Sequence, residues 1–556
     1  MKFVPISDWL PQYQSIHLRA DVIAGIALAG LLIPESMGYA GIAGLPPQAG
    51  LYATAFGLLA YALFGSSRQL AVSPTSASSA ILAATVAPLA ASDPQKYAAL
   101  AAAVALVLGG LFLVAGFLNL GFVSDFISKP VLKGFVFGVA LNIVIKQLPK
   151  LLGIEKGSGQ AYMQLWHTVR HVLDANPWTV MTGAVALAVM FLVGKYVPRI
   201  PGALLVLVGG IAVSRALNLH SHGVEIVGVI PAGLPRPDFP TLTWNDWLQA
   251  APAAIGLLMV LFAEAIGAAR TFALKNGYEI DANQELRALG VANAASAIFH
   301  GMQVGGGTSG TAANDSNGAK TQLSSIAASL VVMITLLFLT GWFYHLPEAV
   351  LGAIVVHAVW HLLDLKEVWR FRRIHRMDFR GSVVAVVGVI AFGILDGLVL
   401  AVILTLIALM RFLSMPQVVV VGRLATGEFV EVSRHPEAEQ FPGVLLLRVD
   451  RIWFFANADG IREHIKELTR QAPAPLKTVV VNLAPVALID VTAVDALAQL
   501  HASSVKHGWR LVLAAVRDPV RDTLSRASLL SAIGEENVFR NMENAVEAVT
   551  GTIHHV

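Results

Sequence analysis

Two carboxylates and two hydroxyl pairs sit in stretches too apolar for ordinary surface residues. Glu35 lies in Leu32-Ile33-Pro34-Glu35-Ser36, and Glu264 in Phe262-Ala263-Glu264-Ala265. A charge at the centre of a membrane span costs about 3 kcal/mol even on the mildest scale, so one that is kept there usually works. Each carboxylate is a candidate proton carrier. The alternative is a structural carboxylate bonded to Ser or Tyr, or paired with Arg270. The pairs Thr75-Ser76 and Thr308-Ser309 fall within two runs rich in small and hydroxyl residues, Ser73–Leu89 and Gly305–Gly318. A helix that starts inside a membrane leaves its first N–H groups unpaired, and its dipole puts partial positive charge there. Two such starts facing each other make an anion site without Lys or Arg. Pro74 suits the first turn of such a helix, and the four hydroxyls add donors. Gly305, Gly306, Gly307 and Gly310 let backbone approach a ligand closely. Close packing by small residues is the competing explanation.

The rest of the chain must hold these residues at membrane depth. Of 556 residues, 56% are apolar and 13% charged, with mean hydropathy +0.66. That excludes a soluble globular enzyme, a disordered chain and a collagen-like fibre. The absence of cysteine excludes a disulfide framework, Cys-ligated zinc, iron–sulfur clusters and cysteine catalysis. A net charge of +3 gives no sign of nucleic acid binding. Charge is uneven: 30 of the 75 charged residues fall in 417–556. The chain therefore reads as a membrane part, 1–416, and a soluble part, 417–556. Met1–Arg19 has no apolar core of a signal peptide.

Spans of roughly 20 apolar residues and the two odd runs together give fourteen segments. The stretch 217–247 divides them into seven, about 20–217, and seven, about 248–413. An odd number per half sets the second half upside down, the mark of secondary transporters. The details repeat as well. Each half has a carboxylate in its first segment, Glu35 or Glu264, and a Thr-Ser pair in its third. Lys366–Arg380 carries six basic residues and marks the cytoplasmic side, which places both termini there. Lys146, Lys150 and Lys156 disagree, from a longer loop.

Leu45–Arg68 (LPPQAGLYATAFGLLAYALFGSSR) resembles the sulfate-permease signature that ends in G-[ST]-S-[KR], with Ala49 where a bulky residue is frequent. Phe262–Gly277 (FAEAIGAARTFALKNG) resembles the eighth-helix motif of plant and bacterial members. The tail resembles a STAS domain. On these motifs the chain is identified as a member of the SulP family. The resemblance implies an α-helical polytopic fold of seven plus seven inverted segments in core and gate domains, an elevator cycle and a homodimer. It implies an anion site between the third and tenth helix starts. Carried over by position, Glu35 and Tyr39 face that site, Thr75 stands where an animal relative has Phe, and Ser309 is the tenth-helix Ser. Glu264 matches a carboxylate implicated in proton coupling in plant members. One departure stands out: many members have Arg after that Ser, and here it is Gly310.

In the tail, Val444–Arg448, Val479–Leu483 and Leu511–Ala515 read as buried strands alternating with helices. Asp490 and Thr492 resemble a D-S-[ST]-G phosphosite, although they equally suit a helix cap. Gly305–Gly310 satisfies G-x-G-x-x-G without the strand and acidic partner of a dinucleotide site. Asn314-Asp315-Ser316 is a formal sequon near membrane depth. His300, His345, His357 and His361 read as helix-end histidines; the last pair is spaced i, i+4, but no metal site is expected, nor any cofactor. Trp360 and Trp369 read as interfacial anchors.

The sequence therefore points to a multi-pass secondary transporter of small anions in the cell (inner) membrane. Sulfate comes first as substrate, and H+ before Na+ as coupling ion. Membrane lipid and a cytoplasmic partner of the STAS domain complete the expected partners. Sodium- or proton-coupled bicarbonate or C4-dicarboxylate transport is the alternative within that class. A regulatory membrane scaffold or an anion channel is the alternative outside it. A scaffold has no use for unpaired helix ends at mid-membrane, which are costly to bury.

Overall fold

The computed structural model describes residues 4–90, 93–122, 129–157, 159–196, 202–360, 362–473 and 475–551. The chain forms two compact units, Met1–Thr405 and Leu406–Val556. Every expected membrane segment contains a helix. In the first half these are α1 (Leu18–Ile42), α2 (Pro47–Phe64), α3 (Ser76–Leu89), α4 (Pro94–Phe117), α5 (Lys129–Leu152), α6 (Pro177–Tyr196) and α7 (Gly202–Ala216). In the second they are α8 (Trp244–Asn276), α9 (Ala282–Ile298), α10 (Thr308–Ser316), α11 (Leu323–Ile334), α12 (Glu348–Trp360), α13 (Arg376–Phe392) and α14 (Ile394–Ser414). Among the described residues, seven stretches are long and apolar enough to cross a membrane alone. Helices α3 and α10 are not. With 14 and 9 residues at about 1.5 Å per residue, they fall well short of the ~30 Å hydrocarbon core.

The packing repeats from one half to the other. Helix α4 packs on α8 and α9, and α11 packs on α1 and α2. Helix α3 touches α8 and α1, and α10 touches α1 and α8. Helix α5 pairs with α13, and α12 with α6. Exchanging each helix of the first half with its counterpart seven places on turns each of these contacts into another. That is what two halves related by a two-fold axis produce. The contacts also sort the helices into α1–α4 with α8–α11, and α5–α7 with α12 and α13. Across the division α1 touches α7 and α12, and α3 touches α5.

Small residues make the close approaches. A Cβ on Gly109 of α4 would lie 2.9 Å from the Gly290 carbonyl oxygen of α9, and one on Gly290 would lie 2.9 Å from that of Gly109. Only glycine lets two membrane helices meet so closely. Acidic groups repeat too. Asp21 in the first turn of α1 accepts from the Lys320 and Thr321 N–H groups, at 2.6 and 3.1 Å. Asp246 in the first turn of α8 pairs with Lys96 at 3.1 Å. In each half an aspartate at the start of the first helix is tied to the stretch that follows the opposite half's short helix.

The C-terminal unit is a six-stranded sheet. Its strands are β3 (Val418–Arg423), β4 (Phe429–Glu431), β5 (Val444–Val449), β6 (Thr478–Asn482), β7 (Arg510–Ala514) and β8 (Val538–Phe539), in the order β4-β3-β5-β6-β7-β8. Strands β5 to β8 run parallel, and β3 is antiparallel to both neighbours. The three expected strands are the central ones. Their near-continuous burial is what a parallel sheet covered on both faces requires.

Candidate functional site

Two two-residue strands bring the short helices together. In β1 (Val72–Ser73) and β2 (Gly305–Gly306), Val72 stands opposite Gly306 and Ser73 opposite Gly305, antiparallel. The chain then enters α3 on one side and α10 on the other. A Cβ on Gly306 would lie 2.8 Å from Ala265 Cα of α8. Glycine here is required by that approach. Asn293 of α9 fixes the same segment by exchanging two hydrogen bonds with the Val304 backbone, both 2.9 Å.

The helix starts are open. Thr75 caps α3, its hydroxyl accepting from Ser78 N–H at 3.4 Å. Pro74 therefore precedes the cap rather than filling the first turn as expected. Gly307 precedes α10, and its side makes no cap. Among the described residues, the backbone N–H groups of Ser76, Ala77, Thr308, Ser309 and Gly310 have no partner. These are the unsatisfied donors that sequence reasoning anticipated, and the dipoles of both helices add to them.

Each carboxylate reaches the short helix of the opposite half. Ser309 of α10 and Glu35 of α1 line one cleft, the serine close enough to act on the carboxylate. Thr75, at the start of α3, donates to Glu264 of α8 at 3.3 Å. Glu35 is buried and Glu264 half-buried. Tyr39, one turn from Glu35, is buried within electrostatic reach of both carboxylates. A cleft of about 190 Å³ is lined by Glu35 and Ser309, and across from them by Met190 and Gly194 of α6, Ala203 of α7 and His357 of α12. That volume far exceeds the ~10–15 Å³ one water needs, so a small anion and several waters fit. A larger cleft of about 540 Å³ lies where Trp9, Tyr13 and His17 face Arg68 and Lys320, and neither glutamate lines it.

The expected hydroxyls divide. Ser309 faces the cleft beside Glu35; Thr75 is engaged by its cap and by Glu264; Ser76 is buried; Thr308 is exposed. Gly310 packs against Ala71 and Leu32. A Cβ there would lie 3.3 Å from both Ala71 Cβ and Leu32 Cδ2. Asn314 is fully buried, with its amide donating to Gln69 O at 3.0 Å, so the sequon is a structural contact.

Sequence reasoning missed Glu285 and gave His357 no part in the site. Glu285 of α9 is fully buried and accepts from Tyr61 Oη at 2.7 Å, Ser66 Oγ at 2.7 Å, Ser66 N–H at 2.9 Å and Ser67 N–H at 3.1 Å. The Gly65-Ser66-Ser67-Arg68 end of the signature is thus the wrapping of a carboxylate. His361 lies outside the described residues. Among the described residues no His, Asp and Glu group is placed to hold a metal.

In the C-terminal unit, Asp490 caps the helix Val491–His507, accepting from Ala493 N–H at 2.9 Å and from Phe455 N–H at 2.8 Å. The cap that the sequence allowed is present, and Thr492 beside it is exposed.

Comparison with known proteins agrees with this arrangement. Residues 18–387 match the sulfate permease family and residues 435–545 the STAS domain. A probable sulfate transporter of Mycobacterium tuberculosis is 35% identical, over 98% of each chain. Sulfate transporter 1.2 of Arabidopsis thaliana is 31% identical over 98% of this chain and 87% of its own. In fold, the murine Solute Carrier 26 family member A9 anion transporter in its inward-facing state superposes with TM-score 0.92 at 24% identity, covering 99% of this chain and 94% of its own. The transmembrane domain of the cyanobacterial bicarbonate transporter BicA superposes with TM-score 0.61 at 24% identity, covering 71% and 98%.

Proposed function

The chain belongs to the sulfate permease family, a family of multi-pass membrane transporters and not of enzymes, and we propose that it carries sulfate inward together with protons. The observation that carries this reading is the crossed pair of contacts, Glu35 with Ser309 and Glu264 with Thr75. Each joins a carboxylate of one half to the short helix of the other, at the place where unpaired N–H groups converge.

The chemistry follows from charge. An oxyanion between the helix starts is held by N–H groups and aligned dipoles. Two ionised carboxylates close by repel it. Protonated, they are neutral and can donate hydrogen bonds. Anion and proton therefore favour each other's binding, which is the thermodynamic requirement for symport. Two carboxylates and a dianion give an electroneutral load of two protons and one sulfate. With no fixed guanidinium at the site, the protons take over its role of neutralising charge.

Movement follows from the packing. Helices α1, α3, α8 and α10 hold the load, while α6, α7 and α12 form the opposite wall of the cleft. In an elevator cycle the first group slides against the second, and the wall, apolar but for His357, offers no carboxylate to hold it in one position. The same reading sets the protein in the inner membrane as a homodimer with both termini in the cytoplasm. The basic stretch Lys366–Arg380 supports that orientation.

The test is uptake of labelled sulfate, bicarbonate and fumarate by purified protein in liposomes, with and without an inward proton gradient and with sodium varied. Saturable sulfate uptake that rises with the proton gradient is expected. Sodium-driven bicarbonate or fumarate uptake with no sulfate uptake would overturn the substrate and the coupling ion. Absence of any saturable uptake would leave a channel or a scaffold.

A further inference from the structure

Between α12 and α13 the chain turns back within a short connection. Helix α12 ends at Trp360, a separate helix runs Leu365–Ile374, and α13 begins at Arg376. A few residues tether it at either end, so it must lie where the two spans meet the membrane surface. It buries Phe371 and exposes Lys366, Trp369, Arg370, Arg372 and Arg373. Arg376 and Arg380, one turn apart at the start of α13, are exposed beside it.

These residues form a groove. A cleft of about 860 Å³ is lined by Trp369, Arg372, Arg373, Arg376, Phe379 and Arg380. A second, of about 470 Å³, includes Lys366 and Arg370 and shares Trp369 and Arg373 with the first. Acidic groups are near but do not enter: Glu367 pairs with Arg370 at 2.6 Å, and Asp378 lies 3.6 Å from His375. Among the described residues no carboxylate pairs with Lys366, Arg373, Arg376 or Arg380. Arg372 is held in place, its guanidinium 5.0 Å from the Trp369 ring and 5.9 Å from that of Phe379.

Uncompensated guanidinia in one groove call for an anion, and their planar forks match phosphate oxygens two at a time. Tryptophan beside them is the side chain that settles at headgroup depth. Two clefts joined at Trp369 and Arg373 give two phosphate positions side by side. We propose that this groove binds an anionic glycerophospholipid of the adjoining leaflet, with preference for one bearing two phosphates, as in diphosphatidylglycerol. The basic stretch also sets topology, but topology needs charge alone; a lipid site needs the fork geometry as well.

The two roles separate by substitution. Full-length protein, stripped of lipid in nonionic detergent, is titrated with diphosphatidylglycerol, phosphatidylglycerol, phosphatidylcholine and inorganic pyrophosphate, with lipid-dependent shift of the melting midpoint as the readout. Diphosphatidylglycerol is expected to bind tightest and phosphatidylcholine to give no shift. The R373Q/R376Q double variant should weaken diphosphatidylglycerol binding about tenfold or more. R373K/R376K, which keeps the charge and hence the topology, should weaken it by about threefold or more. Equal affinity of wild type and both variants would overturn the proposal. So would a shift of the same size with phosphatidylcholine. Pyrophosphate binding as tight as the lipid's would make this a site for soluble phosphate and overturn the lipid assignment.

Discussion

Replacing Glu264 by Gln tests the proton count directly. The amide oxygen can still accept from the Thr75 hydroxyl, which lies 3.3 Å from the carboxylate, but glutamine carries no exchangeable proton load. It imitates the protonated state permanently. Anion affinity should change by no more than about fivefold, the worth of one altered hydrogen bond at ~1 kcal/mol. The driving force changes far more. One pH unit supplies about 1.4 kcal/mol per proton, a factor of about ten in accumulation. With membrane potential clamped at zero and the inside one unit more alkaline, two coupled protons sustain a sulfate ratio of about 100 and one proton a ratio of about 10. E264Q should fall from the first ratio to the second, and its cycle should become electrogenic. E35Q should do the same by the exchange of halves, and the double variant should equilibrate without accumulating. The assay is the steady-state sulfate ratio in proteoliposomes with potassium and valinomycin setting the potential. An E264Q protein that reaches the wild-type ratio would refute the two-carboxylate coupling.

Three further outcomes follow from contacts. Ser309→Leu removes the hydroxyl beside Glu35 and fills the cleft it shares with His357; sulfate binding by calorimetry should be lost, and unchanged affinity would remove Ser309 from the site. Gly310→Arg installs the residue that the SulP resemblance implies at this position, yet its Cβ would press on Ala71 and Leu32 at 3.3 Å; the melting midpoint should fall with a packing cost of about 1–3 kcal/mol, and a stable variant with tighter sulfate binding would contradict this geometry. Tyr61→Phe takes one of four donors from Glu285 and should lower stability by about 1–3 kcal/mol, whereas Glu285→Ala, leaving all four donors unmet, should cost more; a melting curve of E285A superposable on wild type would refute the structural role.

Much of the membrane architecture was legible because apolar run length is a one-dimensional signal. The helix starts at Thr75 and Gly307 were legible because hydroxyl and glycine residues at membrane depth have few uses. What escaped has a common cause. The expected spans began at Val22, Leu248 and Leu286, where the apolar run begins. Asp21, Asp246 and Glu285 lie just before those points, and each is buried in the fold. Charge marks the edge of a span in sequence, but in a polytopic bundle the partners that bury such a charge come from distant segments: Thr321 for Asp21, Lys96 for Asp246, Ser66 for Glu285. His357 was discounted for a similar reason. Its place near a helix end was visible, but the cleft it lines is closed by α1, α6, α7 and α10, which no local pattern brings together.

The glutamates Glu35, Glu264 and Glu285 need not do one job, and their partners tell them apart. Glu285 accepts from two hydroxyls and two backbone N–H groups, so its oxygens are well supplied with donors and it is suited to remain a carboxylate. Among the described residues, Glu264 accepts from the Thr75 hydroxyl at 3.3 Å, and Glu35 has the Ser309 hydroxyl beside it in the cleft. One neutral donor each leaves most of their lone pairs unmet. A carboxylate so placed gains from binding a proton whenever an anion arrives, and loses little when it gives the proton up to water. On the proposed reading, the donor count sets Glu285 apart as scaffold and leaves Glu35 and Glu264 for the load. The same proposal accounts for a site without arginine after Ser309. A fixed cation would hold the anion in every state of the cycle, whereas two proton-carrying carboxylates hold it only while the protons are present.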